Sequence, residues 1–420
     1  MTLSLSELLE QIGQRAASSS RILARATTAE KNEALLAIAS QIEKSAQTIL
    51  AANEADLGAG SKSGLSSAML NRARLDAKGI QKVADSVREV VQLADPIGEV
   101  LRQWSRPNGL KISRRRVPIG VIGIIYESRP NVTSDAAALC LKTGNAVILR
   151  GGSEAIRSNM ALAEAVSNGS KEVGLPEYSV QLVPSTDRTA VTLMAQMDRY
   201  IHLIIPRGGR SLIEAVTSAA RMPVIKHFDG ICAAYVDRAA NLQMARQIVL
   251  NAKCQRPGVC NAIETMLVDE TIAHHFLPDV AKALWERGVQ LRGDPLSRHI
   301  LGSRVLPATE EDWRTEYLDL ILAIKTVRGL EEAIEHIETY GSHHSDVIIT
   351  EDRVVAEEFL NQVDSAAVFW NASTRFNDGG EFGFGAEIGI STDRLHARGP
   401  MGLEELTSYK YVVEGTGQVR

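Results

Sequence analysis

The sequence predicts an α/β protein built from two doubly wound domains and a β-hairpin arm. Three observations carry this. Apolar runs alternate with helical patterns between residues 117 and 236, and a second alternating set follows from about residue 231. Ahead of both, two β-rich runs, VLRQWSR and LKISRRRV, flank Pro107-Asn108-Gly109. Strands buried on both faces of a parallel sheet read as continuous apolar runs, and alternation with helices implies βαβ crossovers. Asn-Gly between two β-rich runs is a strong hairpin signal.

In chain order, the N-terminal region up to Pro96 reads as helices. Leu5, Leu8, Leu9 and Ile12 recur at helical spacing, as do Leu35, Leu36, Ile38, Ile42 and Ile49, then Ile80, Val83, Val87, Val90 and Val91. The hairpin follows, with Arg114, Arg115 and Arg116 on its second arm. We read it as a charged arm that guards a strand edge or lies across another subunit; a phosphate-binding patch is the alternative. Next, GVIGIIYE, NAVILR, YSVQLVP, YIHLIIP and MPVIKHF read as strands with helices between them. A doubly wound sheet binds ligands in loops leaving the carboxyl ends of its strands, here ESRPN, RGGS, PSTDR and PRGGR. In the second set AAYVD, ETMLVD, VQLRGD, LDLILAIKTV, DVIIT and AAVFWN are the strand candidates. From Ser373 the chain is Gly-rich and irregular until a short β-like YKYVVEG.

Composition narrows the function classes. The 420 residues suffice for two or three domains and need no disulfide or metal to fold. A net charge of -5 and 5% aromatics argue against a nucleic-acid surface. No apolar run approaches the roughly 20 residues of a membrane span. No basic segment leads into an apolar one at the N-terminus, so no secretory signal is expected. The four cysteines are irregularly spaced, which points to a reducing cytoplasm.

For chemistry, no G-x-x-x-x-G-K-[ST] and no clean G-x-G-x-x-G is present. Two strand-to-helix turns can still hold phosphate on free N–H groups: Arg150-Gly151-Gly152-Ser153 and Pro206-Arg207-Gly208-Gly209. Either alone reads equally well as a plain turn; two in register point to a nucleotide. His274-His275 and His343-His344 are adjacent pairs whose side chains point apart, so no metal site is expected from them. Cys140 and Cys232 read as core residues. Cys254 and Cys260 lie on a loop shaped by Pro257 and Gly258, where Lys253 and Arg256 favour a thiolate. Chemistry alone does not rank these two.

Taken together, the segments resemble the aldehyde dehydrogenase superfamily over essentially the whole chain. VPIGVIGIIYESRPNVT matches its strand-plus-asparagine segment, NAVILRGGSEA its N-x-hydrophobic-x-x-K-P-S-E segment, and QRPGVCNAIET its nucleophile loop. LIIPRGGRSLI and VIKHFDGICAAYVD stand where Phe-Thr-Gly-Ser and Glu-Leu-Gly-Gly are usual. TEYLDLILAIKTV, AAVFWNASTRFNDGGEFGFGAEIGIST and RGPMGLEELTSYKYVVEG complete the match. The variants ESRPN, PRGG, HFDG and QRPxxC together mark a reductase-type branch.

The resemblance implies an aldehyde-dehydrogenase-like subunit. A cofactor-binding domain would comprise residues 1–105, 126–231 and 366–395, a catalytic domain residues 232–365, and an oligomerisation arm residues 106–125 and 396–420. It selects Cys260 as nucleophile and implies Asn131 as an oxyanion donor with the Cys260 N–H. Arg150, Gly151, Gly152, Ser153, Pro206, Arg207, Gly208 and Gly209 would hold the cofactor phosphates, and Glu316 the nicotinamide ribose. Arg150, in place of the usual Lys, favours NADP (NADPH). The implied reaction is the NADPH-dependent reduction of L-glutamyl 5-phosphate to L-glutamate 5-semialdehyde through a cysteine thioester, in proline biosynthesis. His227 stands where hydrolytic members carry a Glu base, which disfavours water attack; His227 is itself a possible base. Another acylating or hydrolytic aldehyde dehydrogenase is the alternative, and a non-catalytic scaffold is opposed by the intact Cys260, Asn131 and Glu316. Expected partners are the small-molecule substrate, further copies of the chain in a homo-oligomer, and, transiently, glutamate kinase. No metal, nucleic acid or membrane is expected.

Overall fold

The computed structural model of the chain describes residues 3–420. It divides into two compact units, one of Met1–Lys226, Gly383–Gly389 and Met401–Arg420, the other of His227–Phe382 and Ile390–Pro400.

The first unit begins with five helices, Leu5–Leu23, Thr28–Lys44, Ala46–Lys62, Ser67–Ala73 and Ala77–Gln92. Capping boxes start the first two: Ser4 with Glu7 and Thr27 with Glu30 satisfy backbone donors reciprocally. The predicted apolar stripes are buried, among them Leu35, Ile38, Ile42, Val83 and Val87. A four-stranded parallel sheet follows, in the order Val180–Leu182, Ala146–Gly151, Val121–Tyr126, Leu203–Arg207. Tyr126 pairs with Gly151 on one side and Arg207 on the other, so both Gly-Gly loops leave the sheet at one level.

Beside this sheet lies an antiparallel three-stranded one. Its middle strand Lys111–Pro118 is flanked by Val100–Ser105 and Thr407–Glu414. Gly109 turns the hairpin at φ 87°, a conformation that glycine adopts without Cβ strain. Arg116 pairs with Glu99 and Glu404, and Arg115 with Glu414. Two of the three consecutive arginines are thus engaged with carboxylates of the arm and its surroundings. Tyr409, Tyr411 and Val413 are exposed on the outer strand.

The second unit is a seven-stranded parallel sheet. Its order is Leu306–Pro307, Gln290–Gly293, Ile321–Val327, Ile263–Asp269, Cys232–Val236, Ser345–Ile349, Ala367–Trp370. The central strands are wholly buried, as their continuous apolar runs require.

The structure corrects four expectations. MPVIKHF is not a strand: Val224 makes a single bridge to Ile204 and residues 225–231 are irregular. Pro223 there offers no N–H to extend the pairing. YSVQLVP pairs only over Val180–Leu182. Residues 121–125, placed with the arm, form the strand at the centre of the first unit's sheet. Residues 227–231, 366–382 and 390–400 belong with the second unit, where Ala367–Trp370 pairs with Ser345–Ile349 and the Ile390 carbonyl meets His227 Nδ1 at 2.8 Å.

Candidate active site

In the second unit, chemistry-bearing residues gather at the amino ends of the parallel strands. Cys232 opens its own strand, Cys260 and Asn261 precede Ile263–Asp269, Glu316 precedes Ile321–Val327, and His344 precedes Ser345–Ile349. In a parallel sheet these strand starts share one edge, which brings together residues far apart in sequence.

Cys260 lies half-buried on the loop after the helix Leu242–Cys254. The loop is stitched in place: Thr374 Oγ1 donates to the Asn261 carbonyl at 2.7 Å, and Asn261 Nδ2 donates to the Asn377 carbonyl at 2.9 Å. The Cys232 thiol donates to the Cys260 carbonyl at 3.1 Å. Gly230 packs directly against the nucleophile candidate; a Cβ there would sit 2.0 Å from the Cys260 carbonyl oxygen and 2.5 Å from its Cα. That contact gives the Gly of the HFDG segment its physical reason. Burial pushes the thiols of Cys140, Cys232 and Cys254 up, which disfavours their thiolates.

Two imidazoles flank Cys260. His227 Nδ1 faces the Ile390 carbonyl at 2.8 Å, so in the neutral ring Nδ1 carries the proton and Nε2 the lone pair. His344 is fully buried, with Nδ1 engaged by Ser345 Oγ at 2.8 Å and Nε2 without a partner. Burial pulls its pKa down to about 4, against the pull of Asp346 and Glu316, so it is neutral at neutral pH. The rings stand edge to face, centroids 5.4 Å apart, and one ligand-capable atom each of His227, Cys260 and His344 lie within 4.8 Å of one another.

Glu316 belongs to this edge: its Oε1 accepts the Gly230 N–H at 2.9 Å, and burial raises its pKa. Lys253 does not face the thiol. Its Nζ is spent on Glu264 at 2.5 Å in a fully buried pair, and burial pushes Glu264 up to about 7. Arg375, held by Gln255 Oε1 at 2.7 Å, lies close enough for its charge to interact with Arg256 and the Cys260 sulfur.

In the first unit the other candidates sit at carboxyl ends. Arg150 closes the strand Ala146–Gly151, almost wholly buried, with Nη2 3.5 Å from the Asp187 carbonyl and Nε lacking any partner. Gly151, Gly152 and Ser153 carry the chain into the next helix. Pro206 and Arg207 end Leu203–Arg207; Gly208 and Gly209 lead into Arg210–Ala219, whose start has no side-chain cap. The Gly209 N–H instead donates to Glu127 Oε2 at 2.9 Å. The order reverses between Val121–Tyr126 and Leu203–Arg207, the kind of point where doubly wound folds bind ligands, and Ala146–Gly151 lies one strand away. Asn131 precedes the helix Val132–Lys142 but does not cap it; its Nδ2 donates to Asp135 Oδ2 at 2.8 Å.

Sequence reasoning missed His344, Gly230 and Arg375. His343 and His344 lie in a bend ahead of the strand Ser345–Ile349; His343 takes φ 56° and His344 is buried.

The aldehyde dehydrogenase family model matches residues 3–300. The chain belongs to the aldehyde dehydrogenase family. It is 57% identical over 408 residues to the gamma-glutamyl phosphate reductase of Moorella thermoacetica, covering 97% of each chain. To that of Paramagnetospirillum magneticum it is 52% identical, covering 99% of this chain and 98% of the relative. The crystal structure of gamma-glutamyl phosphate reductase from Thermotoga maritima superposes with a TM-score of 0.97 at 48% identity, over 98% of this chain and 99% of that one.

Proposed function

We propose that this enzyme reduces L-glutamyl 5-phosphate to L-glutamate 5-semialdehyde and phosphate, the second step of proline biosynthesis from glutamate, through a thioester at Cys260. Near full-length identity of 52–57% to gamma-glutamyl phosphate reductases supports the substrate. The observation that carries the mechanism is the setting of Cys260, which has two imidazoles within 4.8 Å and Gly230 packed against its backbone.

In the forward reaction the Cys260 sulfur attacks the acyl carbon, a C–S bond forms, the C–O bond to phosphate breaks, and phosphate leaves. His227 Nε2, its ring oriented by the Ile390 carbonyl, is the base available for the thiol proton. Arg375 and Arg256 supply positive charge for the departing phosphate. Asn131 is assigned as an oxyanion donor; Asn131→Ala should cost roughly 10²–10³ in kcat.

A nicotinamide cofactor is general to the family, and we assign NADPH. The fit rests on one feature of the first unit, a buried Arg150 Nε with no partner. Arg150, Gly151, Gly152 and Ser153 with Pro206, Arg207, Gly208 and Gly209 would hold its phosphates, and Glu316 its ribose. When bound, NADPH supplies the hydride that brings the acyl carbon to the aldehyde level.

No described helix is long and apolar enough to cross a membrane. We assign the enzyme to the cytoplasm, where its thiol stays reduced. The exposed aromatic strand of the arm suits a second copy of the chain, and replacing residues 106–116 by a Gly-Ser bridge should shrink the hydrodynamic size. A transient complex with glutamate kinase would shield the labile acyl phosphate.

The deciding assay runs in reverse. NADP reduction by glutamate 5-semialdehyde should require phosphate and saturate with it, because no Glu stands where hydrolytic relatives activate water. His227→Glu should open a phosphate-independent leak to glutamate. Phosphate-independent oxidation by the wild type would replace this reading with a hydrolytic aldehyde dehydrogenase.

A further inference from the structure

We infer that His227, Cys260 and His344 form a binding site for a borderline-soft divalent cation, Zn²⁺ above all, which caps the thiolate and switches the enzyme off. The switch rests on the reading of Cys260 as nucleophile; the site does not.

One sulfur and two imidazole nitrogens are the donor set that zinc prefers, and three protein ligands leave a fourth position for water. Among the described residues, no other group of three His, Cys, Asp or Glu side chains is as close. Zinc bond lengths of about 2.0–2.3 Å place tetrahedral ligand atoms roughly 3.5 Å apart. The ligand atoms here lie within 4.8 Å of one another, so binding requires them to draw together by about 1 Å.

Two further features point to a cation. His344 Nε2 is buried and lacks any partner, an arrangement whose cost a metal bond removes. Both rings are already oriented through Nδ1, His227 by the Ile390 carbonyl and His344 by Ser345 Oγ, as the outer partners of metal-binding histidines orient them. Binding forms one Zn–S and two Zn–N bonds and releases the thiol proton to solvent; no electrons are transferred. The sulfur lone pair that would attack the acyl phosphate is then committed to the metal.

Co²⁺ is the spectroscopic probe. Added to the full-length enzyme without chelating reductants, one equivalent should give a sulfur-to-cobalt charge-transfer band and tetrahedral d–d bands. Cys260→Ser should lose the charge-transfer band and Cys254→Ala should keep it. His227→Gln and His344→Gln should each weaken binding roughly tenfold or more; His227, half-buried, carries the test if the His344 variant misfolds. Zn²⁺ should displace the cobalt, shield Cys260 from iodoacetamide and inhibit with the same dissociation constant. No charge-transfer band, a band that survives Cys260→Ser, or unchanged affinity in His227→Gln overturns the site. The expected spectrum with no inhibition overturns the switch and the nucleophile reading together.

Discussion

In the first unit the candidate cofactor residues leave the carboxyl ends of parallel strands, whereas in the second Cys260 and its neighbours stand at the amino ends. The difference is electrostatic as well as topological. Where a strand runs into a helix, the helix presents free N–H groups and the positive end of its dipole, which suits phosphate. Where a helix runs into a strand, the negative end arrives, so an anion there needs side-chain cations. Arg256 and Arg375 supply them near Cys260. The construction differs too: the carboxyl-end loops are contiguous, RGGS and PRGG, while the amino-end site takes single residues from segments near 227, 260, 316, 344 and 375.

Four predictions sharpen or break this comparison. The largest effect belongs to the amino edge. Cys260→Ala should lower turnover by on the order of 10⁴-fold or more while cofactor binding persists, and Cys254→Ala should keep most activity. The reverse pattern, read by steady-state kinetics, would move the nucleophile off this edge.

Next comes the buried pair on either side of the Cys260 loop. Lys253→Met strands Glu264 in the core and should cost about 3–5 kcal/mol in denaturant unfolding. The double variant with Glu264→Leu should recover most of it. A single variant as stable as the wild type would show that breaking the pair carries no cost.

At the carboxyl edge, Arg150→Ala would remove the charge-assisted contact proposed for the cofactor phosphate, worth about 1.5–3 kcal/mol. The KM for NADPH should therefore rise far more than that for NADH. Equal effects would take Arg150 out of the 2′-phosphate site.

The smallest effect is a pH slope beside Asn131. Burial raises Asp135 to about 6, outweighing the hydrogen bond from Asn131. The unfolded value is about 3.9. The fold therefore favours the neutral acid, a contribution fully present below about pH 4 and lost as pH rises through about 6. Between those limits wild-type stability should fall by about 1–2 kcal/mol. Thermal melts of Asp135→Asn should lack that slope, and an unchanged slope would assign it elsewhere.

What could be read from sequence follows the range of the forces involved. The capped helices, the hairpin at Asn108-Gly109 and the Gly-Gly turns rest on contacts within a few residues, and each was visible as periodicity or turn chemistry. MPVIKHF had the composition of a strand, yet Pro223 and the lack of a continuing partner left it a bridge. Cys260 was singled out by its loop and selected over Cys254 by resemblance, but nothing near it in sequence announced His344.

By itself the sequence determined two alternating β/α regions, a helical N-terminus, an arm and the loops that exit the strands, because apolar periodicity and glycine placement act locally. Only the tertiary structure decided which strand ends meet. Parallel pairing aligns the starts of Cys232–Val236, Ile263–Asp269 and Ser345–Ile349 on one edge. It thereby sets His344, buried and half-satisfied, beside His227 and Cys260. Such a cluster depends on pairing order between segments more than a hundred residues apart in some cases, and no local spacing encodes that.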